Sequence, residues 1–161
     1  MAHSMKLHST YRDAKNPTQA FDHIWNTSHG VGTPGHERNH PLDVELIQAL
    51  IKWHDTDRTG MPIAMTAAIK QTGQLDAATI DAIRFLDPAG DLQHGKHWRI
   101  SPARYGSVDY FHKEGRSTGR RTYFVAQLNW WFNPNCYDEW SVLPGLVSPA
   151  LQERLRARPH F

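Results

Sequence analysis

The strongest pattern along the chain is an apolar stripe at helical spacing between Leu42 and His54. Apolar residues that recur three and four positions apart lie on one face of an α-helix. Pro41 or Asp43 can start this helix, by a fixed φ angle or by capping the first turn, and the polar segment 55–60 ends it. The stripe comprises Val44, Ile47, Leu50 and Ile51, with Leu46 and Trp53 at its margins.

A second helix is predicted from Asp76 to about Leu86. Ile80, Ile83 and Leu86 form its apolar stripe. The Asp76 carboxylate can accept hydrogen bonds from the backbone N–H groups of the first turn. Pro88 ends the helix, because the residue before a proline disfavours the α conformation.

The remaining segments follow weaker patterns. Residues 61–72 fit either a short helix or an extended connection, and glycines and prolines mark 26–41 as a loop. Residues 1–20 have no sustained period, so we expect an arm with at most a short helix over Thr18–Trp25. Two more helices are predicted, at 122–133 with Phe124, Leu128, Trp131 and Phe132 on one face, and at 148–158 with Ser148 as the cap and Leu151 and Leu155 buried.

Composition narrows the class of protein. The 161 residues suffice for one domain, and a single cysteine, Cys136, excludes an intrachain disulfide. A net charge of +2 without a long basic stripe argues against a nucleic-acid partner. No run of about 20 apolar residues occurs, so we expect no membrane span.

The N-terminal residues are polar and lack the apolar segment of a secretory signal. We therefore expect the protein to be cytoplasmic as made. Any export to the periplasm or to a target cell would then use a route that needs no signal peptide.

The two strong helices and their connection resemble the peptidoglycan-binding-like domain of bacterial and phage cell-wall proteins. That family has a first helix of the form DV..LQ..L, a loop of the form DG.FG..T and a last helix that ends in AV..FQ. The chain departs from the pattern at Thr72, Asp76 and Leu86. The matching residues are Asp43, Val44, Ile47, Gln48 and Leu50 in the first helix, Gly73, Leu75 and Thr79 in the loop, and Ala82, Ile83 and Phe85 in the last helix.

The resemblance covers about a third of the chain and implies a mainly α protein. In this interpretation a three-helix peptidoglycan-binding-like module is followed by a C-terminal helical extension that packs on it. The chain then divides into an N-terminal arm at 1–29, the module at 30–90 and the extension at 91–161. A second resemblance, through Tyr123–Asn129 and Pro149–Leu155, is to modules of prophage and type VI secretion cargo.

The resemblance also implies non-catalytic recognition of peptidoglycan, through its glycan or its stem peptide. A sugar-binding site needs an aromatic platform for the ring, and polar groups for the hydroxyl and N-acetyl groups. Trp53, Trp98 and Trp130 are the candidate platforms, and Gln48 and Arg84 are the candidate polar partners. No cofactor is expected.

Metal and catalytic sites are not predicted. Close histidine pairs occur, as at His36/His40 and His94/His97, but no His-Glu-x-x-His motif or comparable set with a nearby base accompanies them. A catalytic zinc needs three protein ligands and usually a general base. Close pairs are expected by chance among eleven histidines in a chain of this length.

Two other functions stay open. A small cell-wall hydrolase or antibacterial toxin would use the C-terminal half, where His112, Cys136 and Asp138 are candidate catalytic groups. An adaptor would bind a protein partner of a secretion or phage-like apparatus through Trp130, Trp131 and the arginine-rich last helix, because aromatic and arginine side chains are enriched at such interfaces.

Overall fold

Helix α1 (Pro41–Lys52) is the centre of the structure, a computed structural model that describes residues 2–12, 20–86, 98–102, 124–132 and 143–157. Every residue of α1 from Asp43 to Ile51 is buried, polar residues included. A helix covered on all sides needs partners for its polar side chains as well as its apolar ones. The predicted helix is confirmed to within two residues at each end.

The described residues are partly helical, with two small antiparallel strand pairs. The strands are β1 (His3–Arg12), β2 (Ala20–Asn26), β3 (Val31–Gly32) and β4 (Arg99–Ile100). After α1 the helices are α2 (Thr56–Thr59), α3 (Ile63–Ala68), α4 (Ala77–Leu86), α5 (Phe124–Phe132), a 3₁₀ helix (Leu143–Leu146) and α6 (Pro149–Arg156). The three-helix module, its C-terminal extension and the domain boundaries stay predictions.

The other predicted helices are also found. Asp76 precedes α4, and its Oδ1 accepts hydrogen bonds from the Thr79 N–H at 2.8 Å and the Thr79 hydroxyl at 2.6 Å. Ser148 caps α6 by accepting a hydrogen bond from the Leu151 N–H at 3.4 Å. Helix α5 buries Leu128, Trp131 and Phe132, and α6 buries Leu151 and Leu155, as the stripes predicted. Of the two options for residues 61–72, the short helix is the one observed, as α3.

The N-terminal segment corrects an expectation. The pattern predicts an arm with at most a short helix over Thr18–Trp25, whereas residues 20–26 form β2. This strand pairs antiparallel with β1, with Met5 opposite Ile24 and Ser4 opposite Trp25. The sequence carries a signal for the first strand, because Met5, Leu7 and Tyr11 alternate with polar residues at the period of a β-strand. The local sequence of β2 does not distinguish a strand from a helix. The strand depends on backbone hydrogen bonds with β1, a separate segment of the chain.

Polar side chains join the elements around α1. Asn129 of α5 accepts a hydrogen bond from the Trp25 N–H at 2.7 Å and donates to the Trp25 carbonyl at 2.7 Å, as a strand neighbour would. Glu45 of α1 accepts hydrogen bonds from the Ser148 N–H at 2.6 Å and its hydroxyl at 2.8 Å, which ties α1 to the start of α6. These bonds fix how α5 and α6 sit against the centre.

The core is shared by strands and helices. Its largest fully buried apolar side chains are Ile24, Leu46, Ile47, Leu50, Ile51, Ile69, Ile83, Leu128, Leu143, Leu151 and Leu155. Within the described segments, none of the helices combines the length and hydrophobicity that crossing a membrane requires.

Candidate functional site at the two ends of helix α1

The loop before α1 is held in one shape by Asn39. This residue has a positive φ of 45°, a conformation that asparagine tolerates better than most residues. Its side-chain Oδ1 accepts a hydrogen bond from the Gly32 N–H at 2.7 Å, and its Nδ2 donates to the Gly32 carbonyl at 2.9 Å. The loop is thereby closed on itself between β3 and the start of α1.

Glycines allow a close approach inside this loop. A Cβ atom on Gly30 would lie 2.0 Å from the Glu37 carboxylate, and one on Gly32 would lie 2.2 Å from the Trp98 carbonyl. The Glu37 side chain therefore lies across Gly30, where it pairs with Arg99 of β4 at 3.4 Å. The Glu37 carboxylate therefore lies on the β3–β4 side of the loop, paired with Arg99.

Asp43 lies beneath the same loop and is fully buried. Its Oδ1 accepts a hydrogen bond from the Ser28 N–H at 3.1 Å, and its Oδ2 accepts one from the His29 N–H at 3.2 Å. The His29 ring is also bound, with Nδ1 at 3.2 Å from Oδ2. A carboxylate can only accept, so His29 Nδ1 carries the proton that faces Asp43.

Arg38 completes a chain of contacts from the interior to the surface. Its Nη1 lies 3.0 Å from His29 Nε2. A guanidinium can only donate, so Nε2 is the acceptor in this contact. The His40 ring stacks on His29, with centroids 5.9 Å apart at 21°. Buried Asp43 thus orients His29, and His29 in turn orients exposed Arg38.

The other end of α1 presents an exposed indole. Trp53 follows the last turn and is 46% exposed. Its Nε1–H donates to Gln71 Oε1 at 3.3 Å, and the Gln71 amide donates to the Leu146 carbonyl at 2.8 Å. Lys52 Nζ donates to the Ile69 carbonyl at 3.0 Å and lies 5.7 Å from the centroid of the Trp53 ring. The indole is therefore held in place by the residues around it.

His54, directly after Trp53, is buried and plays a different part from His29. Its Nδ1 contacts the Ile51 carbonyl, and its Nε2 lies 2.7 Å from the Thr59 hydroxyl. Burial lowers the pKa of His54 below its ordinary value of 6.5, against smaller opposing effects of the Ile51 carbonyl and Asp55. A neutral ring donates from Nδ1 and accepts at Nε2, so both contacts suit the neutral form.

Two predicted site residues prove to be interior. Gln48 is fully buried, and its amide accepts a hydrogen bond from the Gly73 N–H at 3.0 Å and donates to the Gln74 carbonyl at 2.8 Å and to Thr79 Oγ1 at 3.1 Å. It joins α1 to the loop before α4 and has no group left for a ligand. Trp98 is only 8% exposed and belongs to the core, so it does not present the open platform that was expected.

The other two predicted residues are not brought to Trp53 by any contact that the structure shows. Arg84 is exposed on α4 and lies 3.5 Å from Asp81, one turn away on the same helix. Trp130 lies in α5, but its side chain is outside the described residues. The same holds for the candidate catalytic residues His112, Cys136 and Asp138, and for the pair His94/His97.

Sequence reasoning missed the cluster of His29, Arg38 and Asp43. Of the two expected starts of the helix, Pro41 and Asp43, the structure has Pro41 as the first residue, and His40 caps the helix by accepting a hydrogen bond from the Leu42 N–H at 3.3 Å. Asp43 instead reaches back to residues 28 and 29. The only available signal was the density of histidines and glycines before a helix, which does not specify pairing.

Neither family models nor curated proteins nor solved structures include a match to the chain. In the part of the chain that the structure describes, no three His, Cys, Asp or Glu side chains are grouped as a metal ion would require.

Proposed function

We propose that the protein recognises bacterial peptidoglycan without catalysis, and that Trp53 is the platform for a sugar ring of the glycan. The observation that carries this proposal is an indole that is 46% exposed and is nevertheless fixed, through its N–H, by Gln71. Exposed aromatic rings bind the apolar face of a sugar, and a ring that is already held in place loses little entropy on binding.

The surroundings of the ring support the same assignment. Lys52 lies on one side of the indole, so the sugar would stack on the opposite face. The hydrogen bond from Lys52 Nζ to the Ile69 carbonyl holds the ammonium group on that side, which leaves the other face of the ring for the sugar.

Co-sedimentation with insoluble peptidoglycan sacculi tests the proposal. We expect the protein in the pellet, and we expect Trp53→Ala to weaken binding by roughly tenfold, as for the loss of a central aromatic contact. Phe85→Ala is the matched control, because Phe85 is an aromatic residue with a similar exposure of 41% on α4. Thermal unfolding of both variants would verify that they remain folded.

Three results would contradict the proposal. Absence of the protein from the pellet would exclude wall recognition, and equal losses for Trp53→Ala and Phe85→Ala would exclude a site centred on Trp53. Release of muropeptides into the supernatant would exclude a non-catalytic role and would direct attention to His112, Cys136 and Asp138.

A further inference from the structure

We infer that Arg38 and His40, positioned by His29 and Asp43, form a separate binding site for a carboxylate group. The site lies at the start of α1, whereas Trp53 follows its end, 13 residues later in the chain. The inference goes beyond peptidoglycan recognition and stands without it. Its basis is the way in which the loop distributes charge and hydrogen-bond donors.

Glu37 does not pair with Arg38. Glu37, its neighbour in the chain, is held by Arg99 at 3.4 Å across Gly30. Arg38 instead donates to Nε2 of His29. An imidazole nitrogen that accepts this hydrogen bond orients the guanidinium without neutralising it, so Arg38 keeps its positive charge at an exposed position.

The guanidinium of Arg38 is held in one orientation by its neighbours. Asp43 is fully buried and fixes the His29 ring through Nδ1, and the ring fixes Nη1 of Arg38. Asn39, the next residue, locks the backbone through its two bonds to Gly32. Of the five N–H donors of a guanidinium, the contact with His29 uses one, which leaves a pair for a bidentate ligand.

His40 offers a further hydrogen-bond donor. Its Nδ1 accepts the hydrogen bond from the Leu42 N–H, so the proton of the neutral ring is on Nε2. The ring is half-buried and stacked on His29, which also holds Arg38. Arg38 and His40 therefore both offer hydrogen-bond donors at the start of α1, next to the positive charge of Arg38.

This arrangement suits a carboxylate better than a phosphate. Both anions match the planar fork of arginine. However, the negative charge of Asp43 lies directly behind His29, so the cluster offers little compensation for a phosphate that carries close to two charges at neutral pH. A planar anion with one charge fits the guanidinium of Arg38.

Titrations followed by NMR would test the site. The probes are acetate, N-acetyl-alanyl-alanine and the C-terminal amide of that dipeptide, and the readout is the shift of the His29 and His40 ring resonances. We expect the two acids to shift both rings and the amide to shift neither. Tighter binding of the dipeptide than of acetate would identify a peptide carboxylate as the ligand, and equal binding would identify a small carboxylic acid.

Variants make the test specific. Arg38→Gln should weaken binding of the acids by roughly tenfold, since a charge-assisted pair is lost. Arg84→Gln, which removes another exposed arginine, should have no effect. Trp53→Ala should leave the titration unchanged, so this site and the glycan platform can fail independently. Equal shifts with acid and amide, no shift with the acids, or unchanged binding in Arg38→Gln would each overturn the inference.

Discussion

Two hydrogen-bond networks start from fully buried polar side chains of α1, and they end in different places. The network of Gln48 stays inside the protein, where it joins Gly73, Gln74 and Thr79. The network of Asp43 runs through His29 to Arg38 at the surface. Equal burial at the helix therefore does not imply an equal role.

The comparison shows what the resemblance to peptidoglycan-binding-like domains consists of. Gln48, Gly73 and Thr79 are among the residues that match the family pattern, and together they form the junction between α1 and α4. The polar groups of Gln48 are used inside that junction, which stabilises a helix–loop–helix arrangement. Arg38 and Trp53, the residues proposed to contact ligands, lie outside the pattern.

The largest effect is expected from breaking the interior network at Gln48. Gln48→Ala removes three hydrogen bonds and leaves the Gly73 N–H and the Gln74 carbonyl without their partner, which should lower the free energy of unfolding by about 3 kcal/mol. Gln152→Ala is the matched control, because Gln152 makes one side-chain bond, to the Pro144 carbonyl, and should cost about 1 kcal/mol. Urea unfolding measures both, and equal losses would refute the special role of Gln48.

A smaller loss is expected at Gly73, on the other side of that junction. Its φ is +71°, and a Cβ there would lie 2.8 Å from the Pro41 carbonyl, so Gly73→Ala should cost about 2 kcal/mol through strain and a clash. Gly60 has a similar φ of +69° but open space around it, and Gly60→Ala should cost about 1 kcal/mol. If urea unfolding gives the same loss for both, the junction is not tightly packed.

The smallest effect is expected in the dependence of stability on pH, through His54 just after the end of α1. Because the pKa of His54 is lowered in the folded state, the unfolded chain binds a proton more readily there. The contribution of His54 to stability is complete above pH 6.5 and is lost as the pH falls from there towards the folded pKa. His54→Gln should reduce the fall in stability between pH 7.5 and 5.0, measured by urea unfolding. If the free energy of unfolding of His54→Gln falls with pH as steeply as before, the lowered pKa of His54 in the folded protein is contradicted.

Local patterns were sufficient for the helices. The stripes that predicted α1, α4, α5 and α6 consist of apolar residues a few positions apart, and most of these residues are buried, with Ile80 and Phe124 partly buried. Caps at Asp76 and Ser148 were also predictable, because a cap bonds to a backbone N–H three residues later. The pairing of β1 with β2 runs from Arg12 opposite Ala20 to His3 opposite Asn26, so a window of a few neighbouring residues does not contain it.

The sequence by itself determined where the amphipathic helices lie, because helical periodicity is a property of neighbouring residues. Only the tertiary structure decided what each polar or aromatic side chain does. Trp53 and Trp98 are the same residue type, yet one is exposed beyond the end of α1 and the other is covered by the core. Asp43 and Gln48 are both plausible surface residues of a helix until other segments pack around them. Exposure and hydrogen-bond partners depend on elements that are distant in the chain. Because of those elements Asp43, one of the two residues expected to start α1, instead orients His29, which orients Arg38 at the surface.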